Sequence, residues 1–322
     1  MANILNNPIF HDETKAREWV GSQVWKNGII CPHCGNVDQD KFGHLEGKAH
    51  RPGVWKCYAC RDQFTCTVAT VFERSKIPLT KWVAALFLMT ASKKGVSAHQ
   101  MHRLLGVSYK STWFMMHRLR EAMRTGGLSP LGGGGKIVEA DETYFGKIDD
   151  QALPAKREGR KYKNSKKSPL LRRAILALVE RGGSVRTFHV AVADKMTVTT
   201  IVRENVKRET RLMTDESNLY AGAHKYFDSH ETVHHTSKEY VRGDITTNTV
   251  ESYFSVFKRG MRGVYQHCGE KHLHRYLAEF DFRYNNRASL GVNDGNRAEQ
   301  LAKGIVGKRL TYRRPNSAEL LS

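Results

Sequence analysis

Two sets of side chains in this sequence have the types and spacing for metal chemistry. The first is Cys31-Pro-His-Cys34 with Cys57-Tyr-Ala-Cys60. A C-x2-C turn presents two thiolates from one tight loop, and two such turns supply the tetrahedral set that Zn²⁺ prefers. Four thiolates leave no open coordination position, so the expected zinc ion is structural. Trp55, Tyr58 and Phe64 flank the second pair and suit the small strands of a ribbon. Cys66 and Cys268 have no partners at metal spacing and are expected as buried free thiols. His33 and His44 are expected as polar loop residues.

The second set is acidic. Asp141 stands in a strand-like run, 137–145; Asp215 ends another, 211–214; Glu251 lies on a helical run after Asn248. Lys258 is about two turns beyond Glu251, on the same helix face. Strand-end acids and a helix acid can converge on Mg²⁺ or Mn²⁺, which take carboxylate oxygens. Two such ions activate an attacking oxygen and stabilise a leaving one at phosphorus. Lys258 could hold a phosphate beside them. Glu139 and Glu142 compete with Asp141 for the role. Alternation puts Glu139 on the side of Asp141 and Glu142 on the opposite side. The residues alone leave that choice open.

The elements that must position these groups are legible in outline. Runs 137–145, 173–179 and 184–193 read as strands, the last two joined by a Gly182-Gly183 turn. A helix is expected over 197–207, a short strand at 211–214, and helices over 246–260 and 270–287. Upstream, helices over 79–93, 98–105 and 109–123, with Ser97 and Ser108 as N-caps and Gly106 in the turn, form a helix-turn-helix pattern. Trp113, Met116, Leu119 and Met123 would face its core, leaving Lys110, Ser111, His117 and Arg118 to face DNA. Five segments follow: a zinc ribbon with an N-terminal helix, 1–72; the helix-turn-helix, 77–125; a Gly-rich flexible linker, 126–135; an α/β catalytic domain, 136–290; and a basic C-terminal tail, 291–322.

The charge narrows the class. Lys and Arg number 52 against 32 acids, a formal net charge of +20. Such an excess points to a polyanionic partner such as nucleic acid, because each basic group on a phosphate releases a counterion, and the helix-turn-helix pattern makes double-stranded DNA the expected one. The stretch 151–173 is dense in Lys and Arg, with Glu158 its single acid. Within it Lys161, Lys163, Lys166 and Lys167 are expected to track a DNA backbone, as is Arg259. His267, His272 and His274 suit phosphate contact or packing better than metal. The longest apolar run, 82–91, is about half a membrane span. With no secretory leader, a cytoplasmic protein associated with the nucleoid is expected, with thiols reduced. Neither a membrane nor a small-molecule substrate is expected as a partner.

The runs Ala140-Asp-Glu-Thr-Tyr-Phe-Gly146, Thr214-Asp215, Thr247-Asn-Thr-Val-Glu-Ser-Tyr-Phe-Ser-Val-Phe-Lys-Arg-Gly260 and Tyr276-Leu-Ala-Glu-Phe-Asp-Phe-Arg-Tyr-Asn285 carry a resemblance. With the cysteine pairs and the 72–79 entry into the helices, they resemble DDE insertion-sequence transposases that have an N-terminal zinc ribbon. The resemblance runs from about Phe10 to Asn285. It implies a ribonuclease H-like mixed sheet flanked by helices, with Asp141, Asp215 and Glu251 as the catalytic, magnesium-binding acids. Some members carry an asparagine in the third position, which makes Asn248 the alternative to Glu251. It further implies binding of terminal inverted repeats, release of transposon 3′-hydroxyls, their joining to target DNA, and a dimer or larger assembly on DNA. A DNA-binding regulator without chemistry and an inactive relic are the rival readings. One departure is local: Val68-Ala69-Thr70 lacks a glycine expected from relatives.

Overall fold

A computed structural model describes residues 6–148, 172–237 and 239–311. In chain order the elements are α1 (Glu13–Val24), β1 (Phe42–Leu45), β2 (Val54–Cys57), β3 (Gln63–Phe64), α2 (Leu79–Ala91), α3 (Ala98–Leu105) and α4 (Tyr109–Met123). Then come β4 (Ile137–Lys147), β5 (Arg172–Glu180), β6 (Val185–Val190), α5 (Lys195–Asn205), β7 (Arg211–Asp215) and β8 (Ser229–Val233). They are followed by β9 (Val241–Arg242), β10 (Ile245–Thr246), α6 (Asn248–Gly260), α7 (Leu273–Asn285) and α8 (Asp294–Lys303). One compact unit is the chain up to Thr125 joined by the chain from Ala288 onward; the other is Gly126–Arg287. No helix among the described residues is long and apolar enough to cross a membrane.

In the second unit a five-stranded sheet has the order β6-β5-β4-β7-β8. β4, β5 and β6 run antiparallel in succession, and β7 and β8 extend the sheet in parallel with β4. Two antiparallel hairpins followed by parallel additions on the other side of the first strand is the ribonuclease H-like arrangement. β5 explains how the layers hold. Its residues alternate between two apolar faces: Ile175, Ala177 and Val179 pack with Val250, Phe254 and Phe257 of α6 and Leu277 and Phe280 of α7. Leu176 and Leu178 pack with Val198 and Val202 of α5. Each large aliphatic side chain removed from water there contributes about 1.5–3 kcal/mol. β8 was not expected. It is an edge strand whose residues are half-buried except Val233, so it lacks an apolar run.

The glycines at 132–135 are not a free linker. Leu131 is buried and exchanges backbone hydrogen bonds with Asn205 and Lys207. The Gly132 N–H donates to Glu180 and the Gly133 N–H to Thr210. A Cβ on Gly132 would lie 2.2 Å from Thr210 Oγ1, at a φ of +79°. Here glycine allows close backbone approach rather than motion.

In the first unit the helix starts lie where the serines place them. Ser97 accepts from the Gln100 N–H and Ser108 from the Ser111 N–H, with Gly106 left-handed between the helices. The C-terminal segment departs from the expected tail. Residues 294–303 form α8, whose Ala298, Leu301 and Ala302 are buried, and Arg297 donates to the Thr90 carbonyl of α2. α2 is apolar around most of its circumference, so one neighbour does not cover it and α8 supplies another.

Candidate active site and metal centres

The parallel pairing of β4 with β7 ends at Glu139 and Met213. Beyond that point the two strands part, and Asp141 and Asp215 face each other across the gap. Glu142 joins them. Alternation does put it on the opposite face, level with Leu176 on β5. With no ladder in the gap, its carboxylate still comes within 4.8 Å of those of Asp141 and Asp215. Tyr220 Oη (3.0 Å) donates to Glu142. Asp215 is fixed by the Ser217 N–H at 3.1 Å.

These acids stress one another. Burial, then the charges of Glu142 and Asp215, push the Asp141 carboxyl up to about 8. Burial and the charge of Asp215 also raise Glu142, and burial raises Asp215. Tyr220, wholly buried and pushed well above its usual range by burial, stays protonated as a donor. Three carboxylates at this separation suit a hard divalent cation, whose charge would relieve the repulsion.

Glu251 lines the same cavity, about 770 Å³, together with Asp141, Glu142, Lys258, Arg259 and Arg262. Its carboxylate lies outside the group of three. It accepts from Thr247 Oγ1 at 2.9 Å and lies 3.6 Å from His235 Nε2. Asn248 is exposed at the first turn of α6. Lys258 is half-buried, its ammonium 5.8 Å from the centre of the Phe254 ring, and burial lowers its pKa.

Glu139 has another use. It is fully buried and accepts from the Thr249 and Val250 N–H groups, Thr249 Oγ1, and Arg181 Nε at 2.6 Å. Thr247, the residue before α6, makes no side-chain cap. Glu139 therefore caps α6 from the sheet, favoured by the positive end of the helix dipole. That contact sets where α6 starts, and with it the places of Glu251 and Lys258.

The four cysteines of the first unit form a tight group. Cys31 and Cys60 sulfurs are 3.7 Å apart, and those of Cys34 and Cys57 are 3.8 Å apart. Zinc–sulfur bonds of about 2.3 Å in a tetrahedron set sulfurs about 3.8 Å apart, so the group fits Zn²⁺. Both knuckles are built alike. The N–H of the residue after the second cysteine donates to the first cysteine's carbonyl: Gly35 to Cys31 and Arg61 to Cys57. Cys66 is buried as expected, but Cys268 is only half-buried.

Two residues expected on the DNA-facing side of α4 are elsewhere. His117 is buried, its ring 4.1 Å from that of Trp113, which is half-exposed rather than in the core. Arg118 donates to the Leu310 and Glu73 carbonyls. α8 and the chain after it cover that side of α4, which a reading without α8 leaves open. Lys110 and Ser111 are exposed at the start of α4, and Arg259 is exposed beside the acid cavity. Lys161, Lys163, Lys166 and Lys167 lie outside the described residues. Glu142, expected as a rival of Asp141 for the metal, joins it instead, and Tyr220, His235 and Arg262 were not expected at the site. No spacing pattern links them, because they meet only through the parting of β4 from β7 and the turns after β7, β8 and α6.

A ribonuclease H-like sheet with an acidic pocket at the parting of its central strands, preceded by a four-thiol ribbon, defines the class. Comparison with known proteins agrees. Residues 130–285 match the ISXO2-like transposase domain, and residues 11–63 match the transposase zinc-ribbon domain. A protein of Halobacterium salinarum described as an uncharacterized protein in transposable element ISH50 is 27% identical over 293 residues, covering 85% of this chain and 91% of its own. A crystal structure of the Mos1 strand transfer complex aligns over 69% of this chain and 74% of its own, at 9% identity and a TM-score of 0.28. The chain belongs to the ISXO2-like transposases that carry a zinc ribbon.

Proposed function

We propose that this transposase binds the terminal inverted repeats of an insertion sequence, frees the 3′-hydroxyl at each end and joins it to target DNA. The observation that carries this reading is the convergence of Asp141, Glu142 and Asp215, with Glu251 and Lys258 in the same cavity. The three grouped acids would hold one Mg²⁺ or Mn²⁺, and Glu251 is the acid available to a second. Bound there, such ions supply activation of the attacking oxygen and neutralisation of charge on the leaving one. Glu139 fixes the start of α6, and Thr247 and His235 hold the Glu251 carboxylate. Lys258 and Arg259 draw a phosphodiester toward the acids. No protein nucleophile is used: water attacks first, then the freed 3′-hydroxyl attacks the target. Lys110 and Ser111 at the start of α4 meet the base edges of the repeat. Two bridged ends call for at least two copies of the chain on DNA.

The test is a cleavage and strand-transfer assay with duplexes carrying the element's own ends. Purified protein with Mg²⁺ or Mn²⁺ should release a 3′-hydroxyl and form a joined product. Asp141→Asn should bind the ends and yield neither product. Binding of ends by the wild type without cleavage in either cation would leave a regulator. Joining by Asp141→Asn at near wild-type rate would remove the acid pocket from the chemistry.

A further inference from the structure

The wall of the cavity opposite the acids continues past the end of α6. Glu251, Ser255, Lys258 and Arg262 follow one another at spacings of four, three and four residues, and all line the cavity. Such spacing keeps side chains on one helix face. At Met261 the α-helix widens into a π turn, Met261–Tyr265, closed by the Gln266 N–H donating to the Met261 carbonyl at 2.8 Å. Turns of this kind hold an extra residue, carry a conformational cost and recur at functional sites. Gln266 adds to the cost with a φ of +58°.

Something must hold that turn in place, and the structure shows what does. Tyr265 Oη donates to Glu279 at 2.6 Å. Glu279 is fully buried on α7 and is paired with Arg283, which also donates to Tyr265 Oη at 3.3 Å. A buried ion pair with a shared hydroxyl is a rigid anchor, because losing any member leaves a buried charge under-satisfied. The anchor lies three residues beyond Arg262.

Arg262 itself is exposed and has no ion pair among the described residues, and neither half-buried Lys258 nor exposed Arg259 has one there. Arg262 is close enough for its charge to act on Lys258. The opposite charge of Asp141 also acts on Lys258, more strongly than that of Arg262, whereas Arg262 is paired with no carboxylate among the described residues, so a phosphate beside it would give it an anionic partner. A single lysine can serve as a point charge; a guanidinium beyond it adds a fork that matches phosphate oxygens.

We propose that Arg262 is a phosphate-binding residue of the acid pocket, presented by the π turn and held in place by the Tyr265–Glu279–Arg283 anchor. Its ligand is a backbone phosphate flanking the scissile one, on the strand that Lys258 also meets. The proposal rests on the reading that this pocket cleaves DNA strands.

The experiment compares full-length wild type, Arg262→Ala, Arg262→Lys, Tyr265→Phe and Asp141→Asn on a duplex carrying the element's end, across a series of salt concentrations. Arg262→Ala should raise the KM for end cleavage roughly tenfold, the loss of one charge-assisted contact. Its log–log salt dependence should be shallower by about one. Arg262→Lys should restore the salt slope, because the charge returns, and recover the KM only in part, because the fork does not. Tyr265→Phe should move KM in the direction of Arg262→Ala with an unchanged salt slope, since the cation stays and only its placement loosens. Thermal melts of the variants check that the fold is kept. If Arg262→Ala keeps wild-type KM and salt slope while Asp141→Asn is inactive, the proposal is overturned and the reading of the pocket stands. If Asp141→Asn cleaves normally, both fall.

Discussion

The thiol group and the acid pocket are both candidate metal centres, and they are built on opposite principles. The four cysteines come from two short loops of similar backbone, and their sulfurs already stand at zinc-bridging separations. Nothing is left open, so the group can do no more than hold its ribbon together. The acids come from β4, the end of β7 and α6, and they line a cavity open to a substrate. There the ligands are held apart from their preferred state: Asp141 is pushed up to about 8 by burial and by its acidic neighbours. A structural centre is complete within the protein; a catalytic one keeps a charge imbalance that cation and substrate resolve.

The largest effect belongs to the ribbon. Structural zinc in small domains contributes about 10–16 kcal/mol, which is folding energy. Chelation, or Cys57→Ser, should therefore unfold the ribbon of the full-length protein. Metal analysis should show one zinc per chain before and none after. End binding should fall with it. A protein purified reduced that holds no zinc yet melts as before would make the sulfur geometry incidental.

Next comes the membership of the acid set. Glu142→Gln should slow cleavage by more than roughly 100-fold, since even the outer partners of metal ligands cost about 10–100-fold. Glu251→Gln should also be severe, and Asn248→Ala mild, because Asn248 is exposed and bonded to its local backbone. Wild-type rates for Glu142→Gln would reduce that residue to a partner of Tyr220.

A smaller effect reads the repulsion itself. In the metal-free protein Asp141 titrates near 8 when folded, against about 3.9 when unfolded. Between those values the folded state holds a proton that the unfolded state has lost, so stability falls as pH rises from about 4 to about 8. Asp141→Asn should remove that slope and be more stable than metal-free wild type at pH 7 by about 1–3 kcal/mol. Added Mg²⁺ should raise the wild-type melting temperature more than that of the variant. Equal pH profiles would mean the acids are not in conflict.

What could be read in advance follows from locality. The cysteine pairs, the serine caps of α3 and α4 and the strand 137–147 are fixed by neighbours in sequence, and their types show it. β8 gave no signal because Ser229, His230, Glu231 and Thr232 are polar, and the strand exists by pairing with β7. His117 and Arg118 were assigned to an open face of α4 because nothing in α4 announces that the chain returns from residue 294 to cover it. Glu142 does stand on the face that alternation gives it, and it joins Asp141 and Asp215 because β4 and β7 part beside it, which the pattern along one strand does not show. Glu139 shows the same limit from the other direction: its alternation was right, and its role as a remote cap depends on a helix 110 residues away.

The smallest effect concerns the one position where the sequence departs from the expected pattern. The ribbon's end, Val68-Ala69-Thr70, lacks a glycine expected from relatives, and within it Ala69 is left-handed, with φ +56°. The turn is tied on both sides. The Ala69 N–H donates to Glu73 at 3.1 Å, and its carbonyl accepts from the Gly307 N–H at 2.8 Å. Those bonds leave the backbone no freedom to relax into an ordinary region. A Cβ in that region costs about 1–2 kcal/mol, and glycine avoids it while losing about 0.5–1 kcal/mol in chain entropy. Ala69→Gly should therefore stabilise the protein by about 0.5–1 kcal/mol, a rise of a few degrees in the melt of its unit. Activity and zinc content should not change, since the turn holds no ligand of either centre and Val68, which packs against the cysteines, is kept. A fall in melting temperature would show that the entropy term wins and that the departure carries no strain.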